Sequence, residues 1–186
     1  PSPSIGKTFV SSNFAALLAH TGMRVLLVDG DMRKGFLHLP FGFSHREHGL
    51  SEVLAGDQSW ESVIRHTSLT GLDLITTGTL PPNPSELLMT KRMPAFVQQV
   101  SAAYDLVILD APPVLAVTDP VILASQVGTV LLLAKSKTHP LDEIRTAVQR
   151  FEHAGIKVKG CIFNDVPEVK VGYRNYRYAY HYGYKK

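Results

Sequence analysis

The first eight residues contain the side chains of a phosphate-binding loop. The segment Pro1-Ser-Pro-Ser-Ile-Gly-Lys-Thr8 fits the spacing G-x-x-x-x-G-K-[ST], with Pro1 in place of the first glycine. Gly6 has no Cβ, so backbone N–H groups can approach phosphate oxygens closely. Lys7 can neutralise the outer phosphates of a nucleotide, and the Thr8 hydroxyl can bind Mg²⁺. A Gly-Lys-Thr segment alone is equally compatible with an ordinary turn that carries a surface lysine.

Aspartates at the ends of two apolar segments favour the phosphate-binding interpretation. Asp29 and Asp31 follow the apolar segment Val25–Val28, and Asp110 follows Leu106–Leu109. Aspartates at the carboxyl ends of parallel strands face the ligand crevice of an open α/β sheet. An isolated aspartate after a strand is usually a cap or turn residue, but three in register with the loop indicate a site. The predicted site for ATP and Mg²⁺ consists of Lys7, Thr8, Asp31 and Asp110.

The remaining segments predict the elements that hold these residues. Short apolar segments typical of buried strands are Arg24–Val28, Gly71–Thr76, Leu106–Leu109, Val130–Ala134 and Val158–Phe163. Segments with helical spacing of apolar residues are 10–18, Leu50–Ala55, Ser85–Ala103, Pro120–Ser125 and Leu141–Ala154. Strands that are apolar on both faces and alternate with helices predict a parallel sheet covered on each side. The predicted fold is therefore α/β, a doubly wound and mainly parallel sheet of the P-loop NTPase type.

Length and composition fit one globular domain. The chain has 186 residues, of which 45% are hydrophobic and 19% charged, as in folded and not disordered proteins. Its single cysteine, Cys161, excludes an internal disulfide. A phosphate-binding loop normally follows a buried strand, whereas this loop begins at residue 1. We therefore expect the chain to be part of a longer protein that supplies this strand. Residues 1–168 are predicted to form the ATP-binding domain and residues 169–186 a flexible tail.

Tyrosines are concentrated in the tail. Six of the seven tyrosines lie there, at Tyr173, Tyr176, Tyr178, Tyr180, Tyr182 and Tyr184. Aromatic and basic side chains in alternation can stack on single-stranded nucleic acid. Alternation with a period of two is also compatible with a strand that has one aromatic face. Neither interpretation explains why the tail follows a phosphate-binding domain.

These motifs together resemble the bacterial tyrosine kinases of capsule and exopolysaccharide export, over essentially the whole chain. The segments that carry the resemblance are Ser2–Phe9, Asp29-Gly-Asp-Met-Arg33, Pro81–Leu88, Asp110-Ala-Pro-Pro113, Val117-Thr-Asp119 and the tyrosine tail. The resemblance implies an ATP- and Mg²⁺-dependent protein-tyrosine autokinase. This enzyme would phosphorylate the six tail tyrosines, mainly between neighbouring subunits, and so regulate the polymerisation and export of polysaccharide.

The resemblance also implies roles for individual residues. Lys7 would contact the β and γ phosphates, and Asp29 would accept the proton of the incoming tyrosine hydroxyl. Thr8, Asp31 and Asp110 would hold the metal. The implied nucleotide-binding residues are Ser4, Ile5, Gly6, Lys7, Thr8, Phe9, Arg33 and Asn164.

Three of these assignments have alternatives. Asp29 could be a third carboxylate around the metal without a role in proton transfer. Arg33 could reach a phosphate or pair with a nearby acid. Asn164 could contact adenine, as an asparagine does in related P-loop ATPases, or could simply end a strand.

The partners implied by the resemblance are other copies of the chain in a ring, a cognate tyrosine phosphatase and the polysaccharide export machinery, with no nucleic acid. The implied location is the cytoplasmic side of an inner-membrane protein. Two other functions share the predicted site. A partition- or division-site-type ATPase would carry a signature lysine where Ser2 stands and would lack the tyrosine cluster. A non-catalytic, nucleotide-gated assembly scaffold would not need the complete set of site residues.

Overall fold

A computed structural model of the chain describes residues 5–46 and 48–167. The six tail tyrosines, Ser4 and the boundary predicted between residues 168 and 169 lie outside the described residues. The strands are β1 Val25–Asp29, β2 Arg65–His66, β3 Leu72–Ile75, β4 Leu106–Asp110, β5 Val130–Lys135 and β6 Val158–Asn164. The α-helices are α1 Lys7–His20, α2 Leu50–Ala55, α3 Pro84–Leu88, α4 Arg92–Ala103, α5 Asp119–Ala124 and α6 Leu141–Glu152. Short 3₁₀ turns lie at Leu39–Phe41 and Glu61–Val63.

The predicted helix Ser85–Ala103 is wrong as a single element, because the structure divides it into α3 and α4. Pro94 explains the division. Proline has no N–H, and its ring would clash with the carbonyl of Thr90 in a continuous helix. Pro94 is tolerated where it lies, in the first turn of α4, because N–H groups there have no partner within the helix. The antiparallel strand β2 was not predicted, since two residues are too few to show a period.

The strands form a mainly parallel arrangement, as predicted. One sheet has the order β2-β3-β1-β4, in which β1 runs parallel to both β3 and β4. Only β2 is antiparallel in the described sheets. Strands β5 and β6 form a separate parallel pair. The register of β1 on β4 pairs Asp29 with Asp110, so the ends of both strands meet at one edge of the sheet.

Helices cover both faces of the larger sheet, which confirms the doubly wound prediction. Successive residues of a strand point to opposite faces, and every residue of β1 is buried. Leu26 and Val28 pack in a core that includes residues of α2, α4 and α5. Val25 and Leu27 pack in a second core with residues of α1. None of the helices within the described ranges is long and apolar enough to cross a membrane.

An apolar groove of about 600 Å³ separates the two sheets. Its walls are formed by side chains of β4, β5 and α1, with further residues from α5, α6 and β6. Strand β4 pairs only with β1 and strand β5 only with β6 among the described strands. Each of them therefore has one edge without a partner strand, and both line the groove.

Candidate active site

The start of α1 has the geometry of an anion-binding site. Gly6 precedes the helix with a φ of 91°, in the left-handed region that glycine adopts without strain. A Cβ at Gly6 would lie 2.7 Å from the Nδ2 atom of Asn164. The first N–H groups of α1 have no partner within the helix, and the helix dipole is positive at this end. Phosphate oxygens commonly bind at such helix ends.

Asn164 lies at the end of β6 and contacts the loop that precedes α1. Its Nδ2 atom donates a hydrogen bond to the carbonyl oxygen of Ile5, at 2.9 Å. The side chain thus joins the end of β6 to the loop, 159 residues away in sequence. The predicted contact of Asn164 with adenine stays a prediction. Phe9, which was also assigned to the nucleotide, is exposed on α1.

Lys7, Thr8 and Asp110 lie together beside this helix end. The Thr8 hydroxyl donates a hydrogen bond to Asp110 Oδ2 at 2.6 Å. Burial raises the pKa of Asp110, although the Thr8 hydrogen bond and the charge of Lys7 act in the opposite direction. Burial lowers the pKa of Lys7, while the charges of Asp110 and Asp31 oppose that shift. The four predicted residues of the ATP and Mg²⁺ site are therefore close enough to interact electrostatically.

Asp29 is enclosed by its own loop. Its side chain is 1% exposed, and both carboxylate oxygens accept backbone hydrogen bonds. Asp31 N–H donates to Oδ1 at 3.1 Å, and Leu37 N–H donates to Oδ2 at 3.0 Å. Burial raises the pKa of Asp29 to about 7, although these two donors favour the charged form. Leu37 was not predicted as part of the site, because a backbone donor leaves no signal in the sequence.

The carboxylate of Asp31 is more accessible than that of Asp29. Its Oδ1 atom accepts the N–H groups of Arg33 and Lys34, both at 3.1 Å. Its Oδ2 atom accepts no hydrogen bond from the part of the chain that the structure describes. Thr77, two residues after β3, donates its hydroxyl to the carbonyl oxygen of Asp31 at 3.2 Å. One oxygen of Asp31 thus organises the loop, and the other is available to a ligand.

Arg33 pairs with an acid, which was one of the two alternatives for this residue. Its Nε atom lies 2.7 Å from Asp119 Oδ2, and its Nη2 atom donates to Asp119 Oδ1 at 3.1 Å. Ser85 donates its hydroxyl to the same Oδ1 at 2.6 Å. Burial by itself would raise the pKa of Asp119, but the hydrogen bonds from Arg33 and Ser85 outweigh it and the pKa is lowered. Asp119 and Ser85 were not predicted as site residues, because an Asp before a proline is also a common helix start.

The oxygen atoms in this site suit Mg²⁺. No group of three or more His, Cys, Asp and Glu side chains within the described ranges could hold a metal by itself. Mg²⁺ does not need such a group, because it retains waters and is usually held by one or two carboxylates and the phosphates of its ligand. Asp31, Asp110 and the hydroxyl of Thr8 provide that kind of incomplete oxygen set.

A glycine-preceded helix start, a lysine and the carboxylates that follow two parallel strands place this domain in the P-loop NTPase fold class. Comparison with known proteins gives its place within that class. Residues 4–155 match the AAA domain family. The putative tyrosine-protein kinase EpsB of Ralstonia nicotianae is 49% identical over 99% of this chain and 25% of its own length. The tyrosine-protein kinase wzc of Salmonella typhimurium is 46% identical, with 99% and 25% of the two chains covered.

This chain matches a larger share of a relative whose structure has been solved. The kinase domain of Escherichia coli tyrosine kinase ETK is 45% identical and superimposes with a TM-score of 0.87, over 95% of this chain and 69% of that one. The chain therefore belongs to the AAA domain family and to the bacterial tyrosine kinases. The resemblance seen in the sequence is confirmed. The chain spans about a quarter of the length of the curated relatives that it matches.

Proposed function

We propose that this domain transfers the γ-phosphoryl group of ATP to tyrosine hydroxyls, with Mg²⁺ as cofactor. The observation that supports this best is the 2.6 Å hydrogen bond between Thr8 and Asp110. It joins the phosphate-binding helix end to the second strand-end carboxylate, in a chain that is 45% identical to a tyrosine kinase domain. Phosphoryl transfer depends mainly on positioning and on neutralising charge, which these side chains can do.

Each side chain has one task in this proposal. Lys7 binds the outer phosphates as a positive charge at the start of α1. Thr8, Asp31 and Asp110 hold Mg²⁺, which would neutralise charge on the phosphates when bound. Arg33 is engaged with Asp119 through Nε and Nη2, and its remaining Nη1 is available to a phosphate. Asn164 holds the loop through Ile5, and its contact with adenine is part of the proposal.

Asp29 is proposed as the acceptor of the tyrosine proton. Its pKa of about 7 lets the carboxylate take up a proton at neutral pH, as a general base requires. Both oxygens already accept backbone hydrogen bonds. Each carboxylate oxygen can accept a further hydrogen bond, so these donors do not exclude a tyrosine hydroxyl. Because Asp29 is buried, the surrounding loop must open to admit that hydroxyl.

The proposed acceptors are the tail tyrosines Tyr173, Tyr176, Tyr178, Tyr180, Tyr182 and Tyr184, in a neighbouring copy of the chain. Phosphorylation would add about −1.5 to −2 charges at each tyrosine and reverse the basic character of the tail. We further propose that the domain lies on the cytoplasmic side of an inner-membrane protein. There it would form rings with other copies and regulate capsular or exopolysaccharide export. A tyrosine phosphatase would remove the phosphate groups from its tail.

The groove between β4 and β5 is proposed to hold an extended strand of the longer protein, directly before the phosphate-binding loop. The apolar lining suits a strand that is buried on both faces. The unpaired edges of β4 and β5 would each gain a ladder of hydrogen bonds. Such a strand would end at the start of α1, where the loop must begin.

Mass spectrometry of the tail after incubation with ATP and Mg²⁺ tests the function in the full-length protein. We expect phosphate on the tail tyrosines of the wild type and none with Lys7→Met. Asp29→Asn should lower the rate about 10²- to 10⁴-fold, which is the usual contribution of a general base, with nucleotide affinity little changed. Asp142→Asn is the control, since Asp142 lies in an exposed ion pair on α6.

Three outcomes would contradict parts of this proposal. Tight nucleotide binding by the wild type without any phosphotyrosine would support a scaffold and not a kinase. A rate for Asp29→Asn close to that of Asp142→Asn would exclude Asp29 as the proton acceptor. If Asp29→Asn instead weakened Mg²⁺ binding, the third-carboxylate alternative would be favoured.

A further inference from the structure

Asp119 is a fully buried carboxylate that joins three separate segments. Its side chain is 0% exposed and lies at the start of α5. It receives hydrogen bonds from Arg33, in the loop after β1, and from Ser85, in the first turn of α3. A buried charge is costly unless it is paired and hydrogen-bonded. Arg33 and Ser85 supply those partners, so the burial of Asp119 depends on the positions of both.

Arg33 connects Asp119 to the proposed metal site. The guanidinium group of Arg33 contacts Asp119 through two nitrogen atoms, in a bidentate geometry that fixes its orientation. The backbone N–H of the same residue donates to Asp31 Oδ1 at 3.1 Å. Asp119 and Asp31 are therefore connected through one residue, which binds the first with its side chain and the second with its backbone.

We propose that Asp119 is a positioning residue that acts through Arg33 to hold the Asp31 carboxylate in the orientation needed for Mg²⁺ and nucleotide. Ser85 supports it by holding one of the two Asp119 oxygens. This inference rests on the proposed function for the identity of the ligand, but the contacts that carry it belong to the chain itself. Residues that orient a metal ligand commonly change metal affinity or activity about 10- to 100-fold when they are replaced.

A purely structural role for Asp119 makes a different prediction. An ion pair that only joined α5 to the sheet would affect the free energy of unfolding, without a selective effect on the loop of Asp31. The Arg33 side chain is 40% exposed whereas that of Asp119 is fully buried, so the ion pair reaches the surface on the Arg33 side. The local order around Asp31 and the Mg²⁺ dependence of nucleotide binding therefore distinguish a positioning role from a purely structural one. The free energy of unfolding distinguishes them less well.

The test compares wild type with Asp119→Ala, Asp119→Asn, Ser85→Ala and Ser85→Thr in the full-length protein. Asp142→Ala is the matched control, because it removes the same type of residue from an exposed pair with Arg145. Hydrogen exchange is measured without ligand on the peptide that contains Arg33 and Lys34. Affinity for ADP is then measured over a range of Mg²⁺ concentrations, at a temperature where every variant is folded.

We expect Asp119→Ala to increase exchange at the N–H groups of Arg33 and Lys34. It should also raise the Mg²⁺ concentration needed for half-maximal ADP binding by about 10- to 100-fold. Ser85→Ala should change both quantities less, and Ser85→Thr should restore them because it retains the hydroxyl. Asp142→Ala should leave both unchanged.

The inference would be overturned if Asp119→Ala showed the same hydrogen exchange and the same Mg²⁺ dependence of ADP binding as Asp142→Ala. The melting temperature of Asp119→Ala would not change that conclusion. If Asp119→Ala does not fold, Asp119→Asn and Ser85→Ala decide the question, because each removes only part of the network. A wild type that binds ADP and Mg²⁺ without phosphorylating tyrosine would contradict the proposed kinase activity. The role of Asp119 would still be decided by the exchange and binding measurements.

Discussion

At Gly6 the backbone conformation and the surrounding space impose separate requirements. The φ of 91° favours glycine, and the amide of Asn164 occupies the space that a Cβ would need. Gly22 has almost the same conformation, with a φ of 93°, but no atom lies within 4 Å of its hypothetical Cβ. The two glycines therefore separate the cost of the conformation from the cost of displacing Asn164.

We expect Gly22→Ala to lower the free energy of unfolding by about 1–2 kcal/mol, the usual cost of a left-handed residue with a Cβ. Gly6→Ala should lower it further and should also weaken nucleotide binding, because Asn164 must release Ile5. Denaturant unfolding and nucleotide titration of both variants measure these effects. If Gly6→Ala and Gly22→Ala lost the same stability and bound nucleotide with the same affinity, Asn164 would have moved aside without consequence.

At the scale of elements, Glu52 joins α2 to the end of the larger sheet. Its Oε2 atom accepts the N–H of Gly49 at 2.7 Å, at the start of α2, and its Oε1 atom accepts the N–H of Thr79 at 3.0 Å. A glutamate in the first turn that accepts from the preceding backbone is one half of a capping box. Burial by itself would raise the pKa of Glu52, but the hydrogen bonds from Gly49 and Thr79 outweigh it and lower the pKa from 4.5.

The sign of this shift predicts how the contribution of Glu52 depends on pH. A lowered pKa in the folded state means that the carboxylate stabilises the fold above pH 4.5, and that this contribution disappears as pH falls through the lowered pKa. We expect Glu52→Ala to cost about 0.5–2 kcal/mol at pH 7, as for the loss of a helix cap, and progressively less below pH 4.5.

Denaturant unfolding of Glu52→Ala at a series of pH values checks this prediction. Glu61→Ala, at an exposed position in a 3₁₀ turn, is the control and should have little effect at any pH. A difference between Glu52→Ala and wild type that stayed constant down to the acid limit would assign the stabilisation to side-chain packing and not to the carboxylate.

At the scale of the whole molecule, the apolar groove lies between the two sheets, where we propose that an additional strand joins them. Leu131 of β5 lines this groove and is 51% exposed, whereas Leu141 of α6 does not line it and is 60% exposed. In the proposed complete sheet, Leu131 is covered by the additional strand and Leu141 keeps its exposure. These two leucines therefore report on the strand independently of the kinase reaction.

We expect Leu131→Lys and Leu141→Lys to change stability by only about 0.5 kcal/mol in the chain of 186 residues, as surface substitutions do. In a chain that includes the preceding strand, Leu131→Lys should cost at least about 2 kcal/mol, because it places a charge in a core position. Leu141→Lys should remain neutral. The free energy of unfolding of the four proteins provides the measurement, and equal effects in the short and long chains would exclude a strand in the groove.

The elements differ in how far local sequence predicted them. The apolar strands and the alternation with helices were recognised because burial on both faces leaves a continuous apolar signal. The break between α3 and α4 was also encoded locally, in Pro94, but the helical spacing on both sides obscured it. Strand β2 carried no such signal, since its existence depends on pairing with β3.

The sequence by itself determined the class of protein and predicted which side chains form the site. The Gly-Lys-Thr loop and the strand-end aspartates are local patterns, and local patterns can be recognised without knowledge of the fold. Only the tertiary structure decided which residues meet: Asp119 with Arg33, 86 residues apart, and Asn164 with Ile5, 159 residues apart. Such contacts depend on strand order and helix packing, in which many side chains of similar chemistry compete. No single residue type or spacing specifies the partner that each one finds.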